Sequence, residues 1–475
     1  MSRIDEMIDF GGSPSQTVGQ LREKSVTVPS WTTLLKDYEP KMHRVNRDRL
    51  NLPDRRGGRE RSSRIHIGLE RLLTKRMNEF TFAVPVRRQY EPTDDETLLD
   101  IRRAIEAVYR CAHIDAENLR RGLQYYAACE CVTLWYTVER QNHLYGFDTP
   151  YKLRCRTYSP MGGVQLYPLI DDRGDMVAMS MEYIQRVLDR DVVYFETYTA
   201  DRHYQWTGSQ NSWREDTLTV NADGSLTHGE EVAIGKIPCA YIWRPAPIWD
   251  GLCGLRREVE YTLSRNSNII AYNAAPVLKI SGEYQGPAEK KGQEQRVFRL
   301  ENGGDVDYVE WTQATDAVQY HVEQMLKLFW QQSQMPDISF EAMSSLGNIG
   351  YDARQTLLTD AHLKVGDESG AWLEFLEREF NIIKAFLAQM NTRWADRMDE
   401  VQCRHVITPF IQRNEEGEIS LRMKANGGKA IESQRESIMK YGAHDVDQTM
   451  REIEEETARE NRSRAEAYSL NDQTY

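Results

Sequence analysis

The chain has 475 residues, 40% of them hydrophobic and 28% charged, with a formal net charge of −13. Those proportions exclude a globally disordered chain. The length suits about three domains or one elongated subunit of several parts. No apolar run reaches the roughly 18 residues that a membrane span needs. The N-terminus, MSRIDEMIDFGGSPSQ, is acidic and lacks the apolar stretch of a secretory signal, so synthesis in the cytoplasm is expected.

Residues 1–30 are polar and contain Gly11, Gly12, Pro14 and Pro29, which predicts a mobile arm. WTTLLKDYEPKMHRVNRDRL is helical, with a bend at Pro40. NLPDRRGGRERSS is a loop. In RIHIGLERLLTKRMNEF, Ile65, Leu69, Leu72, Leu73 and Met77 share one helical face. TFAVPVRR reads as a strand, and Pro85 places it at an edge. Asp94, Asp95 and Glu96 open the next helix, DETLLDIRRAIEAVYRCAH, because acidic groups suit a helix N-terminus. AENLRRGLQYYAACE is a second helix.

From about residue 132 to 245 short β-rich stretches dominate, among them CVTLWYTVE, KLRCRTYS and VVYFETYT. Turn signals such as DDRGD and NADGS separate them and predict an antiparallel section. LRREVEYTLSRNSNIIAYNAAP returns to helix, and the glycine-punctuated stretch VLKIS…VDYVEW forms a small strand-and-loop unit. TDAVQYHVEQMLKLFWQQSQ is helical. A softer connection, SSLGNIG, follows, then a long helix from about Asp352 to Met398 that Gly366 and Gly370 could bend. QCRHVITPFIQ reads as a strand, and ESQRESIMKYGAHDVDQTMREIEEETARENR as a helical C-terminal part.

Catalytic and metal-binding patterns are not found. Seven cysteines at irregular spacing argue against a disulfide framework, and the lone Cys129-x-Cys131 lacks further ligands at metal spacing, so buried free thiols are expected. Gly428–Lys429 is not a phosphate loop, because Ala430 stands where Ser or Thr is required. His203 and His405 fall in strands and read as structural histidines. Asp171 and Asp172 suit a hairpin turn, and Glu454, Glu455 and Glu456 suit a charged helix face. No catalytic residue, metal or cofactor is expected. The first ninety residues are Arg-rich and the acidic excess lies in the rest, so the chain as a whole lacks the basic balance of a protein that grips nucleic acid.

The order of these parts is the most informative feature. GKIPCAYIWRPAP precedes a helix, GLRREVEYTLSRNSNIIAYNAAPVLKISG leads from that helix into a small α/β unit, and SQMPDISFEAMSSLGNIGYDARQTLL joins a second helix to a long one. With the acidic helical tail SQRESIMKYGAHDVDQTMREIEEE, this order resembles the portal proteins of long-tailed (siphovirus-type) bacteriophages. The Ile349–Gly350–Tyr351 stretch departs from the Ser–Gly usual in that family.

The resemblance implies an α+β portal-type subunit. Its parts would be a flexible arm (1–29), a wing (30–253 and 351–427), stem helices (254–275 and 316–333), a clip (276–315), a tunnel loop (334–350) and a helical crown with its tail (428–475). It implies a ring, typically a dodecamer, at one capsid vertex in the virion, assembled in the host cytoplasm. Double-stranded DNA would pass without sequence specificity. Ser344, Ser345, Leu346, Gly347, Asn348, Ile349 and Gly350 would form the tunnel-loop contact. Glu289, Lys290, Lys291 and Gln293 of the clip would meet partners. Those implied are the terminase large subunit, a head-completion or adaptor protein, and the major capsid and scaffolding proteins, with no membrane. The alternative is another structural phage component, such as a neck or minor capsid protein, or a non-enzymatic scaffold.

Overall fold

Near the N-terminus a helix, α1 (Pro14–Leu21), begins with Pro14 in its first turn and carries Val18 and Leu21 into a core. The computed structural model describes residues 4–5, 8, 12–47, 63–209, 212–222, 225–273, 277–281, 305–309, 315–337, 358–410, 420, 423–430, 433–441 and 449–459. The chain forms two units, Met1–Phe410 and Ile411–Tyr475.

The first unit continues with α2 (Trp31–Tyr38), a 3₁₀ turn at Pro40–Met42, and α3 (Arg44–Arg47). Proline at 40 breaks the helix as expected, since it removes an amide donor and crowds the preceding turn. Helix α4 (Leu69–Phe82) precedes β1 (Arg87–Tyr90). Thr81 and Phe82 therefore finish a helix instead of starting a strand. Phe82 packs edge-on against Trp372 at 4.8 Å, and that burial outweighs the β-type texture of TFAV. The strand begins only after Pro85 and pairs antiparallel with Cys403–Val406. Helices α5 (Glu96–Cys111) and α6 (Ile114–Ala128) follow. The Asp95 carboxylate caps α5 by accepting from the amides of Thr97 and Leu98 at 2.9 and 3.2 Å.

The β-rich section forms two main sheets. Strands β2 (Glu130–Asn142) and β3 (Thr149–Tyr158) pair as a long ribbon. Strands β4 (Gln165–Ile170), β5 (Met176–Val187), β6 (Arg190–Tyr198), β7 (Arg202–Ser209) and β8 (Ser212–Glu215) form an antiparallel meander. Three short strands follow: β9 (Thr219–Val220), β10 (Leu226–Thr227) and β11 (Glu230–Glu231). The last adds to β7, completing a six-stranded sheet. Strand β12 (Cys239–Trp243) returns to the edge of β2 and makes the order β12-β2-β3.

Helix α7 (Cys253–Asn273), the hairpin β13 (Val277–Ser281) with β14 (Asp305–Val309), and helix α8 (Thr315–Ser333) come next. Helix α9 (Thr359–Met390) runs on through Gly366 and Gly370, and β15 (Cys403–Val406) completes the described strands. Where a continuous helix to Met398 is expected, α9 stops at Met390 and a 3₁₀ stretch, Thr392–Glu400, replaces it. In the second unit, α10 (Gln434–Tyr441) and residues 449–459 are helical. The chain is thus α+β, and among the described residues no helix is long and apolar enough to cross a membrane.

One large core joins α4, α5, α6 and α9 to the inward side of β2 and β3. Trp135, Tyr126, Trp372 and Phe380 are buried there. A second core lies between the β2–β12 sheet and β4–β5. A third holds Ile8, Val18 and Leu21 against Phe195, Tyr204, Trp206 and Trp213. The expected mobile arm is therefore packed where it is described. Arg22 pairs with Glu182 at 2.7 Å and Lys24 with Glu130 at 2.6 Å, so residues 14–26 fasten both sheets. The polar composition of this stretch hides the three apolar residues that hold it, Val18, Leu21 and Val26.

His405 sits buried on β15. Burial, with Arg88 and Arg121 adding to it and Glu379 opposing, pushes its imidazole down from 6.5 to about 4. Its pKa is lower folded than unfolded, so its contribution is full above pH 6.5 and is lost as pH falls through about 4. His405→Gln is expected to flatten the fall in melting temperature across that window. Calorimetry at stepped pH checks this, and an unchanged profile counts against a neutral buried imidazole.

Candidate functional site

Helices α7 and α8 pack on each other, with His321 Nε2 3.5 Å from Glu258 Oε1. Each is rooted in the first unit at one end. The root of α7 is polar. Arg256 is 2% exposed and donates to three carboxylates: Glu70 at 2.6 Å, Glu260 at 2.8 Å and Asp37 at 3.0 Å. The guanidinium fork suits this, since its donors diverge in one plane. His43, fully buried, places Nδ1 2.6 Å from Glu260 Oε1 and Nε2 2.8 Å from the Asp37 carbonyl. Burial raises the Glu70 carboxyl against the pull of Arg256. Burial also acts upward on Glu260, but hydrogen bonds from His43 and the Ile67 amide, with the charge of Arg256, leave its pKa lowered.

The same helix face continues as a ladder. Glu260, Ser264 and Asn268 stand four residues apart and accept from the amides of Ile67, Ile65 and Ser63 at 3.0, 2.9 and 2.7 Å. Four helical residues rise about 6 Å, and two extended residues about 6.6–6.8 Å. The near match lets a stretched segment run against three successive turns of α7.

The root of α8 is apolar with cationic guards. Phe329 and Met335 are buried, and Gln334 turns the chain with a φ of 55°. The Arg76 guanidinium lies 4.5 Å over the Trp330 ring, donates to the Pro336 carbonyl at 3.0 Å and stands 3.6 Å from Asp337. Lys364 of α9 donates to the Ser333 carbonyl at 2.5 Å, covering a helix-end acceptor. Burial, with the charge of Arg244 adding and Glu368 opposing, pushes Lys364 down to about 8. Away from the roots the pair leaves apolar groups exposed: Ile269 41%, Ile270 50% and Tyr320 65%.

None of the expected site residues is among those described. Ser344, Ser345, Leu346, Gly347, Asn348, Ile349 and Gly350 lie outside the described residues, as do Glu289, Lys290, Lys291 and Gln293. What is described is the chain on either side of residues 338–357, held at Ser333–Asp337 and at the start of α9. Of the groups that hold it, Arg76 and Lys364 carry no local motif. Gln334 has one local sign, its place just before Met335–Pro336.

The other residues named from the sequence behave structurally. Cys129 and Cys131 are free and buried, and burial pushes the Cys129 thiol up to about 12. The Asp171 carboxylate closes the β4–β5 hairpin by accepting from the amides of Arg173 and Asp175 at 2.9 and 2.8 Å. His203 stacks on Tyr198 at 4.2 Å. Gly427 and Gly428 adopt positive φ at a helix end, not a phosphate loop. Glu454, Glu455 and Glu456 are exposed on a helix. Among the described residues no group of three metal-ligating side chains assembles.

No curated protein matches the chain. Among solved structures, a chain of the "Neck of empty GTA particle computed with C6 symmetry" aligns over 87% of this chain and 94% of its own, at 11% identity and a TM-score of 0.41. That similarity is too low to carry fold or function. A family model described as phage portal protein, SPP1 Gp6-like, matches residues 22–463, nearly the whole sequence. The chain therefore belongs to the phage portal protein family.

Proposed function

We propose that this chain is the subunit of a ring at one capsid vertex, typically of twelve copies, whose channel passes double-stranded DNA during packaging and ejection. Helices α7 and α8 are its stem, β13–β14 belongs to its clip, and residues 334–350 are its tunnel loop. The clip, with Glu289, Lys290, Lys291 and Gln293, docks the terminase and later the neck protein. Residues 428–475 supply the crown.

The stem pair carries this reading. It is firmly rooted at one end and bears exposed apolar side chains beyond, as a helix pair flanked by copies of itself requires. Exposed positions on α8 include Asp316, Gln319, Glu323, Gln331 and Gln332, with Lys327 as the single exposed cation among the described residues of that helix. Each phosphate-neutralising cation adds salt-dependent grip. A surface with so few lets a DNA backbone slide.

The purified protein is expected to form rings with a central hole in negative-stain electron microscopy. A monomer at every protein and salt concentration would overturn the reading. Within the ring, Gly347→Pro combined with Gly350→Pro is expected to leave assembly intact and to reduce DNA packaging severely. Normal packaging by that variant removes the loop from the mechanism.

A further inference from the structure

The ribbon of β2 and β3 has two faces, because strand residues alternate in direction. Leu153 and Cys155 turn toward the large core. Lys152, Arg154 and Arg156 take the opposite face, opposite Val138, Tyr136 and Leu134 of β2. Arg140 follows where the register shifts. Arg140, Arg154 and Arg156 are exposed and Lys152 is half-buried.

Among the described residues none of these four cations meets a carboxylate, and Arg156 alone has a ring contact, 5.0 Å over Tyr158. Some exposed cations elsewhere pair with an acid close in sequence, as Arg103 does with Asp100, Arg120 with Glu117 and Arg214 with Asp216; the ladder differs in setting its cations in a row along one strand face. Tyr136, Tyr158, Tyr183 and Tyr198 close the second core beside the ladder. Glu196 nearby is half-buried and accepts from the hydroxyls of Tyr183 and Tyr198.

Successive side chains on one strand face stand about 6.6–6.8 Å apart. That is about twice the 3.4 Å axial spacing of phosphates on one DNA strand. A phosphate backbone passing over β3 therefore has several phosphates within the span of the three cations. We infer that this face is a sequence-independent contact for the DNA backbone, separate from the channel. It grips where the stem lets DNA slide.

The test is fluorescence anisotropy of the full-length protein with a short mixed-sequence duplex over a salt series. Lys152→Gln/Arg154→Gln/Arg156→Gln is expected to lose about tenfold or more in affinity at moderate salt. Its slope of log K against log salt should become shallower by about 2–3. Arg103→Gln/Arg120→Gln, and the Gly347→Pro/Gly350→Pro loop variant, are expected to bind as the unmodified protein does. If the triple variant fails to fold by circular dichroism, Arg154→Gln alone should shift the slope by about 1.

Unchanged affinity and slope in the triple variant overturn the inference. So does loss of rings with duplex affinity retained, which assigns the face to a neighbouring copy. Loss of binding in the loop variant alone places the contact in the channel and also overturns it.

Discussion

Arg121→Leu is expected to destabilise the first unit by about 3–5 kcal/mol, read as a lower denaturant midpoint. Arg121 of α6 and Glu379 of α9 are both fully buried and meet through two hydrogen bonds of 2.6 and 2.9 Å. Trp135 Nε1 of β2 donates to the same carboxylate at 3.1 Å. One ion pair thus ties two helices to the central strand of the three-stranded sheet. Removing the guanidinium leaves a fully buried carboxylate with one neutral donor. Adding Glu379→Gln should restore much of the loss, because the amide is uncharged and its oxygen still accepts from Trp135. No recovery in the double variant would show that packing of the Arg121 side chain, whose guanidinium carbon lies 4.6 Å from the Phe375 ring centroid, outweighs the charge.

Arg256→Leu is expected to have an effect of similar size, about 3–5 kcal/mol, together with loss of rings. Two fully buried carboxylates, Glu70 and Glu260, lose their shared cation, and the root of α7 loosens. The defect should depend on pH in a definite direction. Burial already raises the Glu70 carboxyl, and losing Arg256 removes what opposes it, so its penalty is present at neutral pH. It shrinks as acid protonates Glu70. The gap in midpoint between variant and parent should therefore be smaller at pH 5 than at pH 8. A gap that widens in acid would contradict this account. Arg256→Lys should fall between, since an ammonium cannot span three acceptors that diverge in the plane of a guanidinium.

Much of the architecture is legible in the chain itself. Helices that expose one apolar stripe, such as α5, and strands bounded by DDRGD carry their own periodicity and turns. Part order then carries the resemblance to portal proteins, and the family match bears this out. What escapes a linear reading is non-local. Glu70 and Arg256 are 186 residues apart, and Arg121 and Glu379 are 258 apart. Of these partners, only Glu260 sits at helical spacing from Arg256 and can be paired with it in advance. The first thirty residues read as an arm because a short helix with two apolar anchors resembles a loop in composition. The cation ladder has a visible sign, the strict alternation in KLRCRT, whose meaning depends on which face the core takes.

The rungs between residues 63–67 and α7 bear on mechanics. Apolar surfaces can shear past one another with little change in buried area, because their attraction has no direction. Hydrogen bonds at fixed spacing cannot: a displacement of one rung breaks all three together before any can re-form. Torque or thrust applied to α7 is therefore passed to the rest of the first unit as to a keyed shaft, and slippage occurs only at a threshold. A motor pushing on such a part would meet stiffness first and failure second, with little creep between.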